Sequence, residues 1–238
     1  MLEGIMNSPY LGMMLVSMAF GLLGAWVSKR LKSKFKKYSM MPLSSGYTGA
    51  QVAEKMLGDY NIHDVTIQSV PGKLTDHYNP ANKTVNLSPE VYQGRSIAAA
   101  AVAAHECGHA VQHATDYAWL GMRSKLVPVV SIAANYLQYV MMASIFLLAT
   151  AFGESLLLLA VVLQGAVMVF SLVTLPVEFD ASHRAMQYLD SSGLAGRRGE
   201  EYEGAKDALK WAGMTYFVAA LASVAQFLYL LLLLMRRR

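Results

Sequence analysis

Long apolar stretches alternate with ordinary polar sequence along this chain, and the alternation defines its parts. The first apolar run, Tyr10 to Val27, is long enough as a helix to cross a hydrocarbon core of ~30 Å. Two further runs, Leu126–Phe152 and Leu156–Leu175, are separated only by Gly153-Glu154-Ser155, which predicts an antiparallel pair of spans with a very short connection. A fourth run, Met214–Met235, precedes Arg236–Arg238.

The polar stretches carry a different pattern. Met40 to Gly49 contains Pro42, Ser44, Ser45 and glycines and predicts a loop. Thr48 is placed to cap a helix over Gly49–Leu57 that Gly58 ends. Val65–Val70 and Thr84–Leu87 are rich in β-branched residues and predict short strands, with turns at Pro71-Gly72 and Asn79-Pro80 between them. Ser96 opens a helix running through the alanines to about Ala114. Pro176 suits the first turn of another helix, just after the third apolar run.

Composition supports this division. Only 15% of residues are charged while 55% are hydrophobic, against roughly a quarter charged in soluble domains. The expected fold is therefore predominantly α, with about four transmembrane helices and an α+β domain containing a small β-sheet. Five segments follow: an N-terminal anchor with its basic flank (1–37), a polar region (38–125), a transmembrane hairpin (126–175), a polar helical segment (176–210) and a C-terminal span (211–238).

Charge orients the spans. Residues 1 to 9 carry only Glu3, so a cleavable signal peptide lacks its positive leading segment. The basic residues Lys29, Arg30, Lys32, Lys34, Lys36 and Lys37 follow the first run, and Arg123 and Lys125 stand at the base of the hairpin. By the positive-inside rule the polar domain faces the cytoplasm. Arg236–Arg238 oppose this orientation, because four full spans place them on the other side; they are outnumbered. The net charge of +4 is accounted for by span-flanking residues, and no basic helix or aromatic–basic platform points to nucleic acid. The single Cys107 excludes an intramolecular disulfide and reads as a small core residue.

The chemistry concentrates in His105-Glu106-Cys107-Gly108-His109, an H-E-x-x-H pattern on the predicted helix. Residues four apart share a helical face with Cβ atoms ~5–6 Å apart, so both imidazoles reach one Zn²⁺. Glu106 falls beside the metal rather than on it, where a carboxylate accepts a proton from water that zinc acidifies. Gly108 is expected to keep the metal face uncrowded. His113 continues the spacing but sits about 12 Å along the helix from His105, too far to share the ion. Glu178, in Leu175-Pro176-Val177-Glu178-Phe179, is the candidate third ligand; an N-terminal helix charge is the competing explanation.

The chain resembles the YugP-type family of bacterial membrane zinc metallopeptidases. The resemblance rests on Asp76-His77-Tyr78-Asn79-Pro80, Gly94-Arg95-Ser96-Ile97-Ala98, Ala103 to His113 around the H-E-x-x-H, and Leu175 to Phe179. It implies one zinc ion per chain, held by His105, His109 and Glu178, and hydrolysis of protein or peptide substrates with Glu106 as general base. More distantly, Glu178-Phe179 is similar to the E-x-x-x-D helix of membrane gluzincins of the HtpX and CAAX-protease type, where the Asp orients a zinc histidine. Here Ser182 occupies that place and the Asp is Asp180, so both are candidates for the supporting role. By the same analogy Arg184 or His183 is a candidate oxyanion donor, as is Tyr78. Asp76, His77 and Tyr78 are expected to line the cleft, and the strand Thr84–Ser88, with Asn86, to pair with the substrate backbone.

Two other classes compete. An intramembrane site-2-type protease needs its zinc helix inside ~20 apolar residues, whereas only Ile97–Ala104 is continuously apolar and no N-P-D-G or L-D-G motif is present. A zinc-binding membrane scaffold or chaperone without hydrolytic activity has no need of an intact Glu106.

Overall fold

The computed structural model describes residues 9–147, 150–195 and 199–236. Glu3, Arg237 and Arg238 lie outside them. Among the described residues there are seven helices and one three-stranded sheet, in the order α1 (Pro9–Ser39), α2 (Gly49–Asp59), β1 (Thr66–Ser69), β2 (His77–Asn79), β3 (Thr84–Leu87), α3 (Pro89–Tyr92), α4 (Ile97–Ala114), α5 (Ala118–Phe146), α6 (Ala151–Ser191) and α7 (Glu200–Met235). Four of them, α1, α5, α6 and α7, are long and apolar enough to cross a membrane. The chain divides into two compact units. One comprises the residues up to Trp26, Met122–Leu175 and Thr215 onward; the other comprises Val27–Gly121 and Pro176–Met214.

The apolar unit is a helical cluster. Leu157, Ala160 and Val161 of α6 are buried with Met13 of α1 and Leu230 and Leu234 of α7, and Leu137, Val140 and Met141 of α5 pack against them. Met18, Leu22, Ile132, Val162 and Leu232 remain exposed, as side chains facing acyl chains do. Gln164 is the largest of the buried polar side chains there. Its amide donates to Ser223 O at 3.1 Å, which satisfies the group inside an apolar environment.

The connection between α5 and α6 falls earlier than the sequence pattern predicts. Gly153, Glu154 and Ser155 are already helical. Thr150 supplies the reason, because its hydroxyl accepts from the Gly153 N–H at 3.1 Å and caps α6. Glu154 then lies in the first turn, where the helix dipole favours an acid. Pro176, expected to begin a helix, sits inside the continuous α6 instead. A proline in a helix interior forfeits one backbone bond.

The polar unit is built around α4. Its alanines are small enough that almost every residue from Ile97 to Gln112 is buried, with Val102 and His105 the partial exceptions. Around them pack Val52, Ala53 and Met56 of α2, Val85 and Leu87 of β3, Val91 of α3, and Ala185, Tyr188 and Leu189 of α6. Ser96 caps α4 through Ala99 N, as its sequence position predicts. Thr48 caps α2 in a reciprocal box with Gln51, and the helix runs past Gly58 to Asp59. Cys107 is buried against Ala53 O, and burial pushes its thiol well above the usual range.

The sheet has the order β1-β3-β2, with β1 parallel and β2 antiparallel to β3. β3 is therefore the central strand. That corrects the expectation that Thr84–Ser88 pairs with a substrate backbone: Thr84–Leu87 is hydrogen-bonded on both sides and wholly buried. Asn86, expected at the substrate, is held within the sheet, donating to Thr84 Oγ1 at 2.9 Å and accepting from Gln68. The third strand, β2, is too short to leave a pattern in the sequence.

Replacing Thr48 by Ala removes one half of the capping box and should cost about 1 kcal/mol, read as a lowered thermal midpoint of the detergent-solubilised protein.

Candidate metal centre

His105 and His109 lie one turn apart on α4 with ring centroids separated by 4.9 Å. Glu178 comes from α6, beyond the apolar run ending at Leu175, and is only 2% exposed. Its Oε2 stands 3.4 Å from His105 Nε2 and 3.7 Å from His109 Nε2. Ligands bound at ~2.0–2.1 Å on a tetrahedral ion are separated by about 3.3–3.4 Å, so this spacing fits a zinc-sized ion. The three ligand atoms lie within 4.8 Å of one another. Two neutral imidazoles and one carboxylate leave a fourth position open, unlike the closed four-ligand shells of purely structural zinc.

Electrostatics keep the carboxylate ionised. Burial pushes the Glu178 carboxyl up, but its contacts with His105 and His109 outweigh this and hold it well below the usual range. Burial likewise pushes His109 down, and the facing Glu178 carboxylate reverses the direction. A cation is favoured where these groups meet.

Each histidine is held from behind. Ser182 Oγ lies 3.1 Å from His105 Nδ1, so the residue four positions after Glu178 reaches the imidazole although it is not an aspartate. For His109 the partner is Gln112, whose Oε1 lies 3.0 Å from Nδ1. The Gln112 amide nitrogen donates to Val177 O and to Asp180 Oδ2, each at 2.8 Å. Both amide protons thus meet acceptors, which leaves the amide oxygen to face His109 and places the ring proton on Nδ1. In the neutral ring this leaves the lone pair on Nε2, the form a metal requires. Asp180 is fixed in turn by Arg184 Nε at 2.6 Å.

Sequence reasoning missed Gln112. The only available signal was its place one turn after His109, on a face that also carries His105.

Gly108 has a different role from the one expected. A Cβ there would lie 2.6 Å from Ala181 O and 3.1 Å from Ala181 Cα. The missing side chain admits the α6 backbone against α4, rather than clearing space over the metal face.

The remaining candidates are distributed as follows. Glu106 is buried and outside the triad, and its Oε2 accepts the Tyr78 backbone N–H at 2.9 Å. The Tyr78 phenol, pushed up to about 12 by burial, stays protonated and bonds to His113 Nδ1 at 2.7 Å. His113 is thereby engaged with β2 and is not part of the triad. Asp76 accepts from Ser88 N at 2.7 Å and fixes the segment entering α3. His77 is exposed and bonds to Thr75 O. Arg184, a candidate oxyanion donor, is turned onto Asp180 and lies 5.7 Å over the Tyr117 ring; His183 is exposed.

Residues 13–235 match the model of a family described as "Putative neutral zinc metallopeptidase". The chain is 40% identical over 217 residues to "Putative membrane protease YugP" of Bacillus subtilis (strain 168), an alignment covering 91% of this chain and 93% of that protein. No solved structure matches.

Gln112→Leu should lower zinc affinity by ~10–100-fold, measured by competition with a chromogenic chelator, because His109 loses the group that fixes its tautomer. Gly108→Val should destabilise the polar unit by about 1–3 kcal/mol and weaken zinc retention, since α6 must move away from α4.

Proposed function

The chain belongs to the neutral zinc metallopeptidase family of the preceding comparison, and from that premise we propose that it is a membrane-bound, gluzincin-like zinc endopeptidase with Glu106 as general base. The observation that carries this reading is the separation of the two carboxylates. Glu178 belongs to the ligand triad, while Glu106 is held out of it by the Tyr78 N–H at 2.9 Å. A purely structural site has no use for a second carboxylate kept beside an open coordination position.

His105, His109 and Glu178 would hold the zinc ion, which supplies Lewis acidity that polarises a carbonyl and acidifies water. Glu106 accepts the proton of the attacking water and returns it to the amine that leaves. Gln112 keeps His109 in the metal-binding tautomer, and Ser182 holds the His105 ring from behind. Tyr78 N–H points at Glu106 rather than into the sheet, so the outer edge of β2 is where an extended substrate segment would lie. Its phenol and Arg184, both engaged elsewhere, would need a rotamer change to act on an oxyanion.

The proposed location is the cytoplasmic face of a bacterial cell membrane. Lys29 to Lys37 follow the first apolar run directly, and Glu178 follows the third by three residues. Substrates near that surface, protein segments or peptides, are the class this placement favours.

Glu106→Gln should leave zinc stoichiometry unchanged while peptide-bond hydrolysis falls by ~10²–10⁴-fold, towards background. Zinc content by elemental analysis and new protein termini in wild-type against variant cells provide the two measurements. Undiminished cleavage by the variant removes Glu106 from the mechanism. Full zinc with no cleavage by either protein favours a scaffold.

A further inference from the structure

A second concavity lies in the polar unit. It is a groove of about 890 Å³ between the last turns of α1, the 71–75 turn and the segment entering α4. None of the metal-centre residues lines it.

Its charge is one-sided. Lys32, Lys36, Lys73 and Arg95 contribute to the lining against a single Glu90. Glu90 is already paired with Lys73 at 2.7 Å, and Arg95 donates to Gly46 O. Lys32 and Lys36 form no ion pair with any described residue, although Lys34 between them is bound to Asp207 at 2.6 Å. Four residues apart on one helix, they present two ammonium groups on the same face.

The walls are apolar. Met40 is 71% exposed and Leu74 is 44% exposed, and both line the groove with Phe35. Leu74 adopts a positive φ of 56°, a conformation that a leucine rarely takes and that surrounding structure must support. Large apolar side chains displayed beside unpaired cations match a ligand with an anionic head and a hydrocarbon tail. Position narrows the class. Lys32 and Lys36 follow the last residue of the first apolar run by five and nine positions on the same helix, and Trp26 at its end is exposed, as interfacial tryptophans are.

We propose that this groove is a specific binding site for an anionic phospholipid, its phosphate held by Lys32 and Lys36 and an acyl chain laid on Phe35, Met40 and Leu74. A general attraction of basic residues to an anionic surface depends on charge number alone. A site depends on which lysines carry the charge and on the apolar wall. The segment Gly94–Ser96, which lines the groove and caps α4, would then sit beside the bound lipid.

The test uses the full chain in neutral detergent with phosphatidylglycerol, phosphatidylcholine and inorganic phosphate as probes, read by native mass spectrometry. Phosphatidylglycerol should bind at one site and in preference to phosphatidylcholine. Lys32→Gln with Lys36→Gln should reduce that binding about tenfold. Lys29→Gln with Lys37→Gln removes the same charge outside the groove and should leave binding unchanged. Met40→Ser with Leu74→Ser should weaken phosphatidylglycerol without changing the response to inorganic phosphate. An equal loss in the two lysine pairs, equal binding of the two lipids, or inorganic phosphate competing as well as the lipid overturns the proposal. A photoactivatable phosphatidylglycerol on the unsubstituted chain gives a reading independent of any variant. Crosslinks should fall on residues 35–42, 74 and 94–96, and labelling confined to other segments overturns the assignment.

Discussion

The close approach of two helix backbones at Gly108 and Ala181 is the constraint on which the centre depends. H-E-x-x-H by itself offers two imidazoles on one helix, which is an incomplete shell. The third ligand has to come from another element whose backbone lies almost against α4, because a glutamate side chain is short. A position without a Cβ allows that approach, and Glu178 and Ser182 then fall on the two sides of the contact. One packing event thus delivers the carboxylate of the candidate triad and the hydroxyl beside its first histidine.

The same contact explains how a carboxylate survives burial. Moving an ionised group out of water is expensive unless complementary charge meets it. Glu178 is surrounded by imidazole nitrogens, and those imidazoles are prevented from turning by Ser182 and by the Gln112–Asp180–Arg184 chain. Rigidity in such a centre comes from completed hydrogen bonds rather than from bulk, since α4 is built mostly of alanine. The alanines serve a related purpose. They let the neighbouring helices and β3 pack closely on α4, so the histidines sit on an element that has little freedom to shift.

Away from the centre, polar groups repeatedly tie chain segments that are distant in sequence. Tyr38 and Lys34 both reach Asp207, Tyr188 reaches Asp59, and Ser44 reaches Glu201. Within the polar unit these contacts fasten the C-terminal ends of α1 and α6 and the N-terminal end of α7. Three of the elements that carry apolar runs, α1, α6 and α7, are therefore also elements of the folded polar unit.

The sequence alone determined the local features, because each depends on neighbours within a few residues. Ser96 and Thr48 cap the helices that their positions predict, the four apolar runs become the four membrane-length helices, and the spacing of His105, Glu106 and His109 sets one helical face. Only the tertiary structure decided the rest. The place of β3 between two partners depends on strands separated by turns, and Thr84–Leu87 reads the same in a central strand as at an edge. Gln112 looks like an ordinary helical glutamine until Val177 and Asp180, more than sixty residues away, supply its acceptors. Gly108 looks like a concession to the metal face until the α6 backbone is seen against it. Short-range chemistry is written in adjacent residues, whereas a contact between distant segments leaves no periodicity to read.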